Sequence, residues 1–210
     1  MRARVPAGRD LRVGCGGWSD YPGGLIKYAE RFDFVEVNVT HYRPVSVSIA
    51  ERWRRQVSLR PTFEFSVKAP PSFGSRLQRN EFLELVSALD ARFVVMRSDA
   101  DAIEELCDLL LALGATPVVY RARGSTSIPK ISGVLYAWDP VLEEPPGPAG
   151  YARVFGVAQG ILDHLGEGML KTAAERLGRW TKDLMKVRVV AHTYRSADDA
   201  VRIREALLAY

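Results

Sequence analysis

A carboxylate, an amide and an ammonium group stand where two predicted strands end. Glu36 and Asn38 are two residues apart in the run Phe34–Val39, so their side chains share one face of a strand. Lys68 directly follows the next run, Thr62–Val67. A buried carboxylate is costly unless it is paired or hydrated, and Lys68 is the predicted partner of Glu36. These residues predict either an acid/base pair at a functional site or a buried ion pair with a purely structural role.

Other polar and aromatic side chains near predicted strand ends are assigned to substrate binding. Together with Asn38, they are Trp18, Tyr42, Arg97, Arg121, Asp139, Arg153 and His192. The three arginines fit bidentate binding of phosphate or carboxylate. Trp18 and Tyr42 are expected to form the wall of the pocket. We expect Glu36 to act as general base and Lys68 to stabilise developing negative charge.

The composition is that of a folded globular protein, with 47% apolar and 26% charged residues. It excludes a disordered chain, a fibrous repeat and a disulfide-rich mini-protein. The net charge is +4, and 23 of the 29 basic residues are Arg because only six are Lys. This balance permits an anionic small molecule or a nucleic acid as partner and requires neither. Only five residues are Asn or Gln, which is compatible with a thermophilic source.

Short β-rich runs alternate with helical patterns along most of the chain. The runs are Leu11–Cys15, Phe34–Val39, Thr62–Val67, Arg92–Arg97, Pro117–Arg121, Gly133–Trp138, Tyr151–Val157 and Val187–His192. Helical spacing predicts helices at Gly24–Arg31, Ser46–Gln56, Asn80–Leu89, Asp99–Leu113, Gly168–Leu184 and Ala197–Leu208. The gaps Arg121–Ile131 and Asp139–Gly150 have no helical pattern, and the second contains four prolines.

This alternation predicts an α/β fold, either an open doubly wound sheet or a barrel. Eight strands favour a TIM-type (β/α)8 barrel in a single domain spanning residues 1–210. Such barrels usually take about 250 residues, so we expect a degenerate barrel in which the helices after strands five and six are missing. The residues assigned above then lie at the carboxyl ends of the strands, where barrel enzymes place their active sites.

Several site types are not predicted. Cys15 and Cys107 do not form a disulfide framework and are predicted to be small buried side chains, with a nucleophilic Cys15 as an alternative. The GCGGW turn lacks the G-x-G-x-x-G spacing, so no cofactor is assigned. No metal is assigned either, although one alternative ligand set consists of Glu36, His41, Asp139 and His192.

No run approaches the 18 apolar residues of a membrane span. The segment Met1–Asp10 is charged and is not predicted to be a signal peptide. We therefore expect a cytoplasmic protein with no membrane partner, and its oligomeric state is not predicted.

Three stretches carry more specific motifs. Gly14–Trp18 reads GCGGW, Val35–Tyr42 reads VEVNVTHY and Phe63–Pro70 reads FEFSVKAP. They resemble the uncharacterised family called domain of unknown function 72, or YecE-like, whose members show G-x-S-G-W/F, V-E-x-N-x-x-[FY]-Y and F-x-F-x-x-K-x-P. The resemblance covers about residues 11–71. It implies a TIM-type barrel and no established activity.

The second half departs from the pattern of this family. Val119 stands where members often have Glu, Phe155 where they have the His of R-x-H-G, and His192 within a segment that often reads F-N-N. Residues retained from the family pattern are Glu36, Asn38, Tyr42, Lys68, Arg121, Asp139 and Arg153. The resemblance therefore implies a shortened, divergent member.

Three functions are consistent with the sequence. The first is an enzyme that acts on an anionic, phosphate-bearing substrate at the carboxyl-terminal mouth of the barrel. The second is a nucleic-acid-binding module in which Arg-rich loops bind phosphates and Trp18, Tyr42 and Trp138 stack on bases. The third is a non-catalytic scaffold with a decayed site, its mouth closed by apolar side chains such as Phe155.

Overall fold

The predicted β-rich runs form eight strands in the computed structural model, which describes residues 10–122, 125 and 127–209. The strands are β1 (Asp10–Cys15), β2 (Phe34–Val37), β3 (Glu64–Lys68), β4 (Phe93–Arg97), β5 (Thr116–Tyr120), β6 (Leu135–Trp138), β7 (Tyr151–Val154) and β8 (Lys186–Ala191). They follow one another in chain order in a closed barrel. The predicted TIM-type (β/α)8 fold is therefore confirmed.

Helices fill most of the connections between strands. Those within the described residues are α1 (Gly24–Arg31), α2 (Val39–Tyr42), α3 (Val47–Gln56), α4 (Arg76–Ala88), α5 (Ile103–Ala112), α6 (Glu167–Thr181) and α7 (Ser196–Ala209). No helix follows β5 or β6 in the described part of the chain, as expected. The proline-rich connection after β6 cannot maintain helical hydrogen bonds.

Several boundaries differ from the sequence prediction, and two of the differences have a clear local cause. The strand β2 ends two residues early because Asn38 adopts helical angles, φ −89° and ψ −22°, and begins α2. The helix α4 begins four residues early because the Ser75 side chain caps it by accepting the backbone N–H of Gln78. Asn80, the first residue of the predicted helix, lies inside α4.

The described residues pack as two compact units. One is Gly17–Leu135, with β2 to β5 and α1 to α5. The other joins the described residues up to Gly16 to those from Tyr136 onwards, with β1, β6 to β8, α6 and α7. Strands pair in parallel within each unit. The carboxyl ends of the strands in a unit therefore lie along one edge of its sheet.

Alternation along β3 separates the packed core from the side that carries polar groups. Phe65 and Val67 are fully buried on one face, whereas Ser66 and Lys68 point to the other face. The start of β2 is held by α1, because the buried Tyr28 hydroxyl donates to the Phe34 carbonyl oxygen at 2.8 Å. These contacts fix the strands from which the polar face projects.

The segment Met1–Asp10, predicted not to be a signal peptide, lies outside the described residues except for Asp10. Within the described part of the chain, no helix has both the length and the apolar character needed to cross a membrane.

Candidate functional site

Glu36 and Lys68 project from neighbouring strands but at different depths. Glu36 is fully buried and lies beside Ser66 in the parallel register of β2 and β3. Lys68 is two residues further along β3 and ends that strand. Two strand residues span about 6–7 Å, so the Lys68 backbone lies one step closer to the carboxyl edge than Glu36. The two predicted catalytic residues thus share one face of the sheet, with Glu36 one step further from the carboxyl edge.

The Lys68 ammonium group lies between two aromatic rings. Its Nζ is 5.5 Å from the ring centroid of Tyr42 and 5.5 Å from that of Tyr120. Lys68 is only 8% exposed, so its charge is largely removed from water. Aromatic faces stabilise a cation at this distance. Tyr120 ends β5 and was not among the predicted site residues; its place at a strand end was the signal that could have identified it.

The single-turn helix α2 holds the end of β3 in place. The buried Thr40 hydroxyl donates to the Lys68 carbonyl oxygen at 2.7 Å and lies 3.1 Å from the Val37 carbonyl oxygen. His41 Nδ1 is 2.7 Å from the Ala69 carbonyl oxygen, and because a carbonyl only accepts, Nδ1 carries the proton. Sequence reasoning missed Thr40, since a lone Thr after a strand carries no specific signal.

Asn38 joins β2 to α2 and has an unsatisfied acceptor. Its side chain makes no capping hydrogen bond to α2. Its Oδ1 atom is buried and accepts no hydrogen bond within the described residues. Buried polar atoms are nearly always paired, and exceptions are frequent at functional sites. The structure thus leaves one buried acceptor of Asn38 without a donor from the described residues, and its role in substrate binding stays a prediction.

Arg97, the first of the three arginines predicted to bind an anion, already forms an ion pair with Asp99. Arg97 donates from Nε to Asp99 at 2.8 Å and forms a second hydrogen bond with the other carboxylate oxygen. The hydrogen bond with Asp99 raises the pKa of Arg97, and the same bond lowers the pKa of Asp99. Arg121, the second of these arginines, is exposed. An anion must therefore compete with Asp99 for the Arg97 guanidinium group.

Trp18, predicted as a pocket wall, packs on the apolar side of β3. Its ring meets the ring of Trp53 edge-to-face at 5.1 Å and that of Phe65 at 6.4 Å. Phe65 points away from the face that carries Ser66 and Lys68. These contacts anchor the GCGGW loop to α3 and β3. A role for Trp18 in substrate binding stays a prediction.

In the other unit, Asp139 organises the loop after β7. Its carboxylate accepts backbone N–H groups from Val141, Phe155 and Gly156 at 2.8 to 2.9 Å. Burial raises the pKa of Asp139, while these backbone hydrogen bonds act in the opposite direction. The carboxylate thus takes up backbone donors that could otherwise bind an anion, so its contacts are those of a structural residue. Its predicted role in substrate binding is not tested by these contacts.

Arg153, Phe155 and His192 form a stack in the same unit. The Phe155 and His192 rings are parallel, 4.3 Å apart with an interplanar angle of 4°. The guanidinium carbon of the buried Arg153 lies 5.2 Å from the Phe155 ring centroid. Phe155, which the scaffold hypothesis expected to close the mouth, is half-buried. It contacts two predicted binding residues.

The metal and nucleophile alternatives gain no support from the geometry. Within residues 10–122, 125 and 127–209, no group of three or more His, Cys, Asp or Glu side chains could hold a metal ion. Two proposed ligands are engaged with backbone groups, His41 with Ala69 and Asp139 with the β7 loop. Cys15 and Cys107 are buried and unbridged, as predicted. Burial raises the pKa of the Cys107 thiol to about 11.

The closed parallel barrel, with polar groups at the carboxyl ends of its strands, defines a TIM-type (β/α)8 protein. The family model described as "Protein of unknown function DUF72" matches residues 12–116, half of the chain, and the chain belongs to this family. The match includes all three motifs and ends before Val119, Phe155 and His192, where the sequence departs from the family pattern. No curated protein matches the chain.

Solved structures agree with this assignment. A DUF72 family protein from Enterococcus faecalis has a TM-score of 0.68 at 16% identity, covering 95% of this chain and 98% of its own. One from Thermotoga maritima has a TM-score of 0.58 at 18% identity, covering 95% and 99%. Endonuclease IV from Thermus thermophilus has a TM-score of 0.54 at 14% identity, covering 96% and 100%. At these identities, the likeness shows the fold.

Proposed function

We propose that this protein is an enzyme that acts on a phosphate-bearing substrate, bound at the carboxyl ends of β2 to β5. The observation that carries the proposal is the setting of Lys68, an ammonium group that is 8% exposed between two tyrosine rings at a strand end. The proposal treats residues 1–210 as one barrel domain, as the sequence predicts.

The charge of Lys68 supports an anionic substrate. Electrostatic attraction grows as water is excluded, so a phosphate gains more from a nearly buried ammonium group than from an exposed lysine. The two tyrosine rings restrict the position of the ammonium group. A mobile side chain is thereby restricted before the substrate binds, which lowers the entropy lost on binding.

Glu36 supplies the carboxylate for general base catalysis in this proposal. It lies one step below Lys68 on the same face of the sheet, and it is fully buried. A carboxylate near a bound phosphate ester can take a proton from the attacking water or hydroxyl group. Lys68 then stabilises the negative charge that develops on the phosphoryl oxygens.

The test compares Lys68→Met, Glu36→Gln and a matched control, Lys27→Met. Lys27 is an exposed lysine on α1 that pairs with Glu30. Binding of inorganic phosphate is measured from the rise in melting temperature. Turnover is measured as nitrophenolate released from para-nitrophenyl phosphate and bis(para-nitrophenyl) phosphate. Circular dichroism checks that each variant is folded.

We expect phosphate at about 100 times its Kd to raise the melting temperature of the wild type and of Lys27→Met by about 5–10 °C. Lys68→Met should lose most of this rise. Glu36→Gln should keep the rise and lose turnover. Equal stabilisation of Lys68→Met and the wild type would refute the binding role, and unchanged turnover in Glu36→Gln would refute the general base.

A further inference from the structure

Tyr42 is a large aromatic residue left on the surface beside a nearly buried cation. It is 77% exposed, whereas Thr40, two residues earlier in the same helix, is buried. Its ring contributes little to the core of this unit. An exposed ring next to a functional charge is typical of a surface that a ligand covers.

The position of this ring is fixed although the ring itself is exposed. Thr40 and His41 tie α2 to the carbonyl oxygens of Lys68 and Ala69. The His41 ring also meets the Tyr42 ring edge-to-face at 5.1 Å. A ligand that stacks on Tyr42 therefore meets a helix already held against β3, and little conformational freedom is lost on binding.

We propose that the substrate is a nucleoside 5′-phosphate, whose base stacks on Tyr42 while its phosphate contacts Lys68. This inference rests on the proposed function. The ammonium group and the Tyr42 ring centroid are 5.5 Å apart, a separation that the sugar of one nucleotide bridges. A planar base can stack on the exposed part of the Tyr42 ring, and the phosphate can form an ion pair with the nearly buried ammonium group of Lys68.

Asn38 provides a second, independent contact for such a ligand. It precedes α2, and Tyr42 is the last residue of that helix. Its buried Oδ1 has no hydrogen-bond donor within the described residues. Sugar hydroxyl groups and the exocyclic amines of bases are donors, whereas inorganic phosphate at neutral pH offers mainly acceptors. The unsatisfied acceptor therefore favours a ligand with more than a phosphate group.

The same chemistry occurs in a free nucleotide and at the 5′-phosphorylated end of a nucleic-acid strand. The two sources differ in salt dependence, because a strand contributes further phosphates whose contacts release counterions. Titration with adenosine 5′-monophosphate and with a 5′-phosphorylated oligonucleotide at two salt concentrations separates them. If the oligonucleotide binds much more tightly than the nucleotide and its affinity falls steeply with salt, the site is assigned to strand ends. Equal affinities of the two ligands assign it to the free nucleotide.

The decisive experiment titrates the full chain calorimetrically with adenosine 5′-monophosphate and with ribose 5-phosphate. These ligands share the sugar and phosphate and differ in the base. The wild type and Tyr42→Phe should bind the nucleotide about tenfold more tightly than the sugar phosphate, because stacking one base on an aromatic ring contributes on this scale. In Tyr42→Leu the two affinities should become equal. Loss of the ring beside Lys68 weakens the phosphate contact of both ligands alike, so the readout is the ratio of the two affinities.

Failure of this inference and failure of the proposed function give different results. Equal binding of the two ligands by the wild type, with both lost in Lys68→Met, overturns base stacking and leaves the phosphate site standing. A tenfold preference that persists in Tyr42→Leu also overturns the role of Tyr42. Absence of binding by either ligand overturns both proposals. In Asn38→Ala, weaker binding of both ligands assigns the donor to the shared sugar and weaker binding of the nucleotide alone assigns it to the base, whereas unchanged binding of both overturns the role of Asn38.

Discussion

Arg188 is a fully buried arginine that shares the Asp10 carboxylate with Arg12. It lies on β8, and its guanidinium group hydrogen-bonds to Asp10 at the start of β1 through both the Asp10 carboxylate and the Asp10 carbonyl oxygen. The substitution Asp10→Asn removes the negative charge and keeps the size of the side chain. The parallel register of β1 and β8 should survive, since it depends on backbone hydrogen bonds.

The cost of this substitution follows from how much of the interaction it removes. Arg188 keeps its contacts to the carbonyl oxygens of Asp10, at 2.7 Å, and Val187, at 3.0 Å. What is lost is the negative charge that strengthens the hydrogen bond from Arg188 and a second one from Arg12, at 2.9 Å; a hydrogen bond to a charged group contributes about 1.5–3 kcal/mol. Because the Asp10 side chain is 35% exposed, we expect about 2 kcal/mol rather than the 3–5 kcal/mol of a fully buried pair.

The same contact makes stability depend on pH in a defined direction. Burial acts to raise the pKa of Asp10, but hydrogen bonds from Arg12 and Arg188 outweigh it, so the pKa lies below its ordinary value. A carboxylate with a lowered folded-state pKa stabilises the protein above the unfolded pKa, about 3.9. That stabilisation is lost as the pH falls through the folded-state value. The difference in the free energy of unfolding between the wild type and Asp10→Asn should therefore become smaller below about pH 4.

Urea unfolding of both proteins at pH 7, 5 and 3.5, followed by circular dichroism, measures this gap. Asp33→Asn is the control, because Asp33 pairs with Arg60 at 2.8 Å with both side chains largely exposed. It should change the free energy of unfolding by less than about 1 kcal/mol. The reasoning is refuted if Asp10→Asn costs no more than the control at pH 7, or if its cost is unchanged at pH 3.5.

Two other contacts give predictions by the same unfolding assay. Thr40→Val keeps the shape and removes the donor to the Lys68 carbonyl oxygen; it should cost about 1–2 kcal/mol, whereas Thr172→Val, at a more exposed helix position, should change little. Asp139→Asn places an amide group among three backbone donors and should cost about 1–3 kcal/mol. Its control, Asp101→Asn at an exposed position, should leave the free energy of unfolding unchanged. Either argument is contradicted if the variant and its own control lose the same free energy of unfolding.

The barrel could be predicted from the sequence because its signals are repeated. Each short β-rich run alternates with a helical pattern, and one misplaced boundary does not alter the count of eight strands. Local chemistry decided the boundaries. Gly114, which directly follows the predicted helix Asp99–Leu113, has a φ of +78°, a conformation that suits glycine. The shift at Asn38 had no such marker, because asparagine is common in both turns and helix caps.

The candidate site was only partly predictable. Glu36 and Lys68 stood out because charged residues in a predicted buried strand are costly. Trp18 was assigned to a pocket because of its residue type, whereas its actual neighbours, Trp53 and Phe65, come from α3 and β3. Asp139 likewise looks like a ligand-binding carboxylate in sequence and binds three backbone N–H groups in the structure. Such contacts depend on tertiary packing that spacing does not encode.

The run from Glu36 to Tyr42 explains why the VEVNVTHY motif can persist while the second half of the chain diverges. Glu36 lies beside Ser66 on the face that carries Lys68, Thr40 donates to the Lys68 carbonyl oxygen, and Tyr42 flanks the ammonium group. One continuous segment thus makes several contacts with the end of a single neighbouring strand. Departures at Val119, Phe155 and His192 alter none of these contacts. Divergence at those positions is therefore compatible with an unchanged setting of Lys68.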